Sequence, residues 1–462
     1  MTPLSNLAVR DVETLIHPYT NLATMRETGP LVLERGKGIF VYDSAGKAYI
    51  EGMSGLWCTA LGYGNEELAE AAAAQMRKLP FAHLFSGKSH DPAIELAEKL
   101  KELAPVPTSK VFFCNSGSEA NDTQVKLVWY MNNALGRPQK KKIISRIKAY
   151  HGVTIASASL TGLPANQRDF DLPIAGVLHT GCPHHYRFAQ AGETEEEFAT
   201  RLAAELAQMI EREGPDTVAA FIAEPVMGAG GVLVPPRSYF EKIMQVCRRY
   251  DIYMIADEVI CGFGRLGTQF GSQSLGFRPD GISVAKALTS GYIPMAALTV
   301  PEPMYQALLI ESRKIGTFGH GFTYSGHPVA AAVALKALEI YARERLVEAA
   351  ARKAPQFQAR LQALGQHPLV GEARGLGLIG AVELVADKAT KRSFDPKSGV
   401  APRAVRFAED EGLMVRFLVG DALSICPPLV ITPAEIDELF DRLGRALDRT
   451  LDWVRQERLA EA

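Results

Sequence analysis

Short runs of uninterrupted apolar residues, each followed by a longer stretch of helical periodicity, recur through the first two thirds of this chain. The runs are Lys110–Cys114, Ile143–Ser145, Val218–Ile222, Ile252–Ala256 and Gly281–Val284. Between them lie Ser118–Asn133, with Ala120, Gln124, Leu127 and Met131 at helical spacing, then Thr194–Arg212, opened by Thr194 and Glu197 at capping-box spacing, and Tyr239–Tyr250. Strands that are apolar throughout are strands covered on both faces, and strands that alternate with helices make a parallel, doubly wound α/β sheet. Ligands of such sheets gather outside the carboxyl ends of the strands, so chemistry is to be sought just after each run.

The chain has 462 residues, more than one ordinary domain. From His327 the texture changes. Pro328–Arg345 reads as an Ala-rich helix, and short strands such as Leu378–Leu384 follow. We expect a large domain over 71–330 with a mostly parallel central sheet flanked by helices. A smaller α+β domain is expected from 331–462, joined by an N-terminal segment, 1–70, that also reaches the active site.

Hydrophobic residues make up 47% and charged residues 22%, which suits a chain with a large core and excludes disorder, collagen repeats and disulfide miniproteins. Lys+Arg number 50 and Asp+Glu 52, so no basic excess points to nucleic acid. The run Lys140-Lys141-Lys142 reads as a solvated gatekeeper at a strand edge. No window offers about 20 clean apolar residues, so no membrane span is expected. The six cysteines form no C-x-x-C pair and sit mostly in apolar runs, as buried small hydrophobes of a reducing compartment do. With no signal peptide visible after Met1, the expected location is the cytoplasm.

Three strand ends carry candidate chemistry. Asn115-Ser116-Gly117-Ser118-Glu119-Ala120-Asn121 lies between a strand and a helix. Its free N–H groups, hydroxyls and glycine suit a phosphate, although Ser116 and Glu119 also have the spacing of a capping box. Asp257 abuts an apolar strand, either as half of an ion pair or as the carboxylate that holds a proton on a cofactor ring nitrogen. Lys286 ends another, either snorkelling to solvent or desolvated and ready to form a Schiff base. Together they are equipment for pyridoxal 5′-phosphate (PLP).

At this point the chain resembles a known family, the class III aminotransferases of PLP fold type I, in the branch of ω-amine:pyruvate transaminases. The matching segments include His17-Pro18-Tyr19-Thr20, Ser54-Gly55-Leu56-Trp57-Cys58, Phe113 to Asn121, Tyr150-His151-Gly152, Ala223-Glu224-Pro225-Val226, Ile255-Ala256-Asp257-Glu258-Val259, Ala285-Lys286-Ala287-Leu288, Phe322 to Pro328, and Val415-Arg416. The resemblance implies that Lys286 forms the Schiff base and Asp257 pairs with the pyridine nitrogen. It puts Tyr150 and Val259 on the two ring faces, with His151 beside them, Ser116, Gly117 and Ser118 at the phosphate, and Glu224 beneath the cofactor. Thr323 would arrive from the other subunit of a homodimer, or of a tetramer built from it. Tyr19, Trp57, Phe85 and Tyr150 would line the substrate pocket, and Arg416 would be a mobile arginine that meets a keto-acid carboxylate. A surface arginine bonded to Asp421 is the other reading of Arg416. Alanine follows Lys286 where many relatives have glycine.

The expected reaction moves an amino group from a primary amine or ω-amino acid to a keto acid, pyruvate foremost, and leaves an aldehyde or ketone and alanine. An aminomutase or racemase of the same fold, and a catalytically inactive PLP-binding relative, are the alternatives. Two decoys stand apart. Gly375-Leu376-Gly377-Leu378-Ile379-Gly380 fits G-x-G-x-x-G but runs into a strand, where a dinucleotide site needs a helix. His184-His185 follow Cys182 with no carboxylate at ligand spacing and read as a loop, so no metal is expected.

Overall fold

The computed structural model describes residues 4–460, and three sheets carry the fold. The first sheet begins as an antiparallel meander of β1 (Leu33–Lys37), β2 (Phe40–Asp43) and β3 (Ala48–Glu51). The large sheet contains β4 (Lys110–Cys114), β5 (Lys142–Arg146), β6 (Val177–Thr180), β7 (Val218–Ala223), β8 (Tyr253–Asp257), β9 (Gly281–Val284) and β10 (Ala296–Val300). Their order is β4-β10-β9-β8-β7-β5-β6, and only β10 runs against its neighbours. The chain then adds β11 (Val370–Leu376), β12 (Ile379–Leu384), β13 (Leu413–Met414), β14 (Arg416–Leu418) and β15 (Ala422–Ile425). Four of these form an antiparallel sheet, β11-β12-β15-β14, while β13 joins β3 in parallel with Leu413 opposite Ile50. Val415 alone separates β13 from β14, so Arg416 stands where the chain steps from one sheet to another.

The uninterrupted apolar runs are explained by two covered faces. Phe221, Ala223, Met254 and Ala256 turn to one side, into the core that holds Tyr239, Phe240, Ile243, Met244 and Cys247 of the helix Tyr239–Arg249. Ala220, Ile222 and Ile255 turn to the other, against Ala120, Val125, Leu127 and Val128 of the helix Gly117–Ala134. Each large side chain so buried contributes about 1.5–3 kcal/mol. Thr194 and Glu197 form both arms of the capping box that opens the helix Glu195–Glu213. The Gly375–Gly380 run is the hairpin between β11 and β12, turned at Gly377 with φ +62°.

The lysine run is not a solvated gatekeeper. β5 lies inside the sheet, between β7 and β6, and Lys140 is only 4% exposed. Its amine donates to the Tyr250 carbonyl at 3.2 Å, Lys141 Nζ to the Trp129 carbonyl at 2.6 Å, and Lys142 Nζ to Glu213 at 2.9 Å. The three amines close carbonyls and a carboxylate contributed by neighbouring segments, a use of charge that spacing alone does not show. All six cysteines are free, five of them buried. Among the described residues, no helix is long and apolar enough to cross a membrane.

Candidate active site

A cavity of about 650 Å³ opens at the carboxyl ends of the parallel strands. Gly117 and Ser118 reach it after β4, Tyr150 and His151 after β5, Glu224 after β7, Asp257 and Val259 from β8, and Lys286 after β9. Tyr19 and Trp57 close it from the N-terminal segment, and Arg416 from β14.

Lys286 adopts φ +50°, a left-handed conformation that costs a non-glycine residue about 1–3 kcal/mol and persists only where its surroundings hold it. Its Nζ lies 5.1 Å from the centre of the Trp57 ring and has no hydrogen-bond acceptor among the described residues. Burial lowers its proton affinity, against the pull of Cys58, Asp257 and Glu224. Tyr19 and Trp57 are also left-handed, at φ +52° and +60°, so strain gathers at the pocket.

Asp257 is buried, and its oxygens are oriented from three sides. Oδ2 accepts from Asn121 Nδ2 and from His151 Nδ1, each at 2.8 Å, and Oδ1 accepts from the Val259 N–H at 3.1 Å. Glu224 is 3% exposed. Its Oε1 accepts from the Tyr150 N–H at 3.0 Å and its Oε2 from the Gly228 N–H at 2.9 Å, while burial raises its pKa. One carboxylate thus fixes both the main chain at Tyr150 and the turn that brings Ala229 to the cavity.

The helix Gly117–Ala134 points its N-terminus at the same space. A Cβ on Gly117 would sit 3.1 Å from Val259 Cγ2, so glycine lets the loop close down on Val259. The N–H groups of Gly117 and Ser118 have no acceptor among the described residues. Ser116 is used otherwise. Its hydroxyl caps the helix by accepting from the Glu119 N–H at 3.2 Å, and it does not line the cavity. The Glu119 carboxylate reaches back one residue further, to the Asn115 N–H at 2.7 Å.

Arg416 is not bonded to Asp421. Its guanidinium carbon lies 5.7 Å from the Tyr19 ring centre and 5.3 Å from that of Trp57, with no carboxylate partner among the described residues, and burial lowers its pKa. Tyr19 in turn meets Tyr150 edge-on at 6.5 Å, and its hydroxyl accepts from Asn166.

Two expected residues stand outside this chain's cavity. The turn Phe85–Gly87, with Ser86 at φ +55°, lays the Phe85 ring against Gly321, where a Cβ would come within 2.7 Å of it. Phe85 and Thr323 are both exposed, Thr323 two residues after Gly321. Asn121 was not singled out by sequence reasoning. Its only signal was its place one turn into the helix after Gly117, on the face that looks at Asp257. The fold does bring two carboxylates to His184, Glu372 at 2.8 Å and Glu383, but Arg374 bonds both, at 2.6 and 2.7 Å, and makes an ion network of the cluster.

The profile of the family "Aminotransferase class-III" matches residues 23–447. The chain belongs to the class III aminotransferases. It is 51% identical over 437 residues to "Gamma aminobutyrate transaminase 1, mitochondrial" of Solanum lycopersicum, covering 94% of this chain and 85% of that protein. It is 50% identical over 448 residues to a protein of the same name from Oryza sativa subsp. indica, covering 97% and 86%. Its fold matches the crystal structure of the ω-transaminase from Pseudomonas jessenii in complex with PMP, with TM-score 0.96 and 57% identity, covering 97% of this chain and 99% of that one. Class III aminotransferases have PLP fold type I and use PLP.

The residues in place fit that cofactor. A half-buried lysine has an amine with no acceptor among the described residues, two helix N-terminal N–H groups are free for a phosphate, and a glycine keeps the cradle open against Val259.

Proposed function

We propose that this aminotransferase takes the amino group of a primary amine or ω-amino acid and passes it to pyruvate, releasing an aldehyde or ketone and then alanine. The observation that carries this reading is Arg416, a cation inside the cavity that rests on two aromatic faces and has no carboxylate of its own. Such a group can meet the carboxylate of a keto acid, or withdraw onto the rings when an apolar amine binds. A fixed, unpaired buried charge would penalise one of the two substrates. The relatives named for gamma-aminobutyrate support the ω-amino acid donor, and the ω-transaminase fold match supports the wider amine class.

Lys286 would hold PLP, with Gly117 and Ser118 at its phosphate, Asp257 at its ring nitrogen, and Tyr150 and Val259 flanking the ring. When bound, the cofactor supplies the electron sink for the carbon that bears the amine. Lys286 Nζ, its proton affinity lowered by burial, would take the proton from that carbon as general base and deliver it as general acid on the cofactor side of the C–N bond, so that the nitrogen stays with the cofactor. Asp257, held by Asn121, His151 and the Val259 N–H, keeps a fixed negative charge where the pyridine proton must be retained. Glu224 holds Tyr150 in place through the main chain. Trp57 covers the lysine amine and, with Tyr19, forms the substrate wall.

Thr323 would complete the phosphate site of a partner subunit in a homodimer, and Phe85, on the same exposed surface, would enter that partner's pocket with it. The reduced cysteines fit a reducing compartment, the cytoplasm on our reading, although the plant relatives are named for organelles. A panel of amine donors assayed with pyruvate tests the assignment. Amine-dependent formation of alanine is expected, and its absence across aromatic amines and ω-amino acids alike would sink it.

A further inference from the structure

Arg146, the last residue of β5, is the largest side chain with no exposure at all. Arginine is almost never buried without a carboxylate beside it. Among the described residues none is within ion-pair distance. Its Nη2 donates to the main-chain oxygen of Glu224 at 2.6 Å, while Nε and Nη1 have no acceptor. Other groups around the guanidinium bring no balancing charge. Burial pushes the Cys182 thiol up to about 11 and the Tyr239 hydroxyl up to about 12, so both are neutral. The Tyr239 and Phe240 rings lie 5.9 and 5.8 Å away, at the far end of cation–π range.

The anions that remain are the carboxylates at the adjacent strand ends, Glu224 first and Asp257 beyond it. We propose that Arg146 is the counter-charge of Glu224, a positioning residue that keeps this carboxylate an acceptor on both oxygens, so that it holds the N–H groups of Tyr150 and Gly228 together. The cofactor side of the inference rests on the reading of Glu224 as lying beneath PLP. The link between Arg146 and Glu224 does not. A protonated carboxyl would turn one of those oxygens into a donor facing an N–H.

Glu224 is faced by Asp257 from β8, whose charge disfavours ionisation, and by His151, Lys286 and Arg146, which favour it. The nearby Cys261 thiol is raised by burial and stays neutral. Removing Arg146 leaves Glu224 in a fully enclosed site with the Asp257 repulsion less opposed. Its protonation at neutral pH should follow, with loss of the bond to Tyr150.

Infrared difference spectra of the apoenzyme, each variant minus the parent protein, test this directly and cancel the bands of other buried carboxyls such as Glu51 and Glu258, whose pKa values burial raises to about 7. Arg146→Met is expected to gain the carbonyl band of one further protonated carboxyl at neutral pH, and Arg146→Met/Glu224→Gln to lack it. PLP should dissociate roughly tenfold faster from Arg146→Met at neutral pH, as for a shift of about one pKa unit, with the deficit closing as pH rises and Glu224 ionises. A folded Arg146→Met apoenzyme without the band overturns the proposal, as does a band that survives Glu224→Gln. A band with unchanged PLP release upholds the counter-charge and overturns the placement of Glu224 beneath the cofactor. If Arg146→Met does not fold, Arg146→Lys decides. The retained charge should leave no band beyond those of the parent protein, and an added band there refutes the proposal.

Discussion

The two edges of the large sheet bury charge in opposite ways. At the amino edge, Lys140, Lys142 and Arg137 find the Tyr250 carbonyl, Glu213 and Asp251, and Asp280 accepts from the Met254 N–H at 2.7 Å. A cavity of about 250 Å³ lies there too, lined by Lys140, Arg137, Asp251 and Asp280, yet these charges already have partners. At the carboxyl edge, Lys286 and Arg416 have no acceptor among the described residues, and Arg146 leaves two of its nitrogens unbonded there. A cavity by itself does not mark a site. Charge left unpaired at desolvation cost does, because the fold then stores an interaction for a ligand to complete.

If this contrast is correct, substitutions at the two edges must separate chemistry from stability. Lys286→Ala should have the largest effect, removing the borohydride-reducible attachment of PLP and cutting turnover by roughly 100- to 10,000-fold, the usual worth of a general acid–base. Turnover near the parent rate would refute its role. Asp257→Asn keeps the shape and loses the charge. At about 1.5–3 kcal/mol for a charged hydrogen bond, both half-reactions should slow roughly 10- to 150-fold in single-turnover experiments, with smaller loss of cofactor.

Arg416→Ala sharpens the comparison within the site. It should weaken the keto-acid half-reaction by about 1.5–3 kcal/mol and affect an uncharged aromatic amine much less. Equal impairment of both halves would make Arg416 a structural residue. At the other edge, Lys140→Met should lower unfolding stability by about 1 kcal/mol, for one hydrogen bond to the Tyr250 carbonyl, and leave both half-reactions unchanged. A slowed half-reaction there would erase the distinction between the edges.

The same contrast accounts for what could be read before the fold was known. β4 and β9 coincide with the apolar runs, β7 extends one residue further and β8 is shifted one residue on, because burial on both faces writes itself into every residue of a strand. Asp257 and Lys286 were legible as charges abutting those runs, and Glu224 through the family resemblance. Arg146 was not, since an arginine after Ile143-Ile144-Ser145 looks like any strand end, and only packing shows that it never reaches water. Lys140 failed for the same reason. Phe85 was assigned to the pocket by resemblance, and in the single chain its turn lays it at the surface beside Gly321, a placement no local pattern shows. Pairings between distant segments, such as β3 with β13, leave no local trace.

That last pairing bears on how the protein is made. β3 ends just before the Ser54–Trp57 turn, and its partner β13 lies in the last fifty residues. On a ribosome the large sheet can assemble while β3 still has one edge without a partner, and Ser54, in the turn that carries Trp57, waits for the Cys426 carbonyl to which its hydroxyl donates at 2.7 Å. Such long-range closure is slow and leaves a strand edge open to other chains in the meantime. A nascent chain halted before β13 would thus hold Asp257 and Lys286 in a finished large sheet, in a site still lacking the strand that carries Arg416.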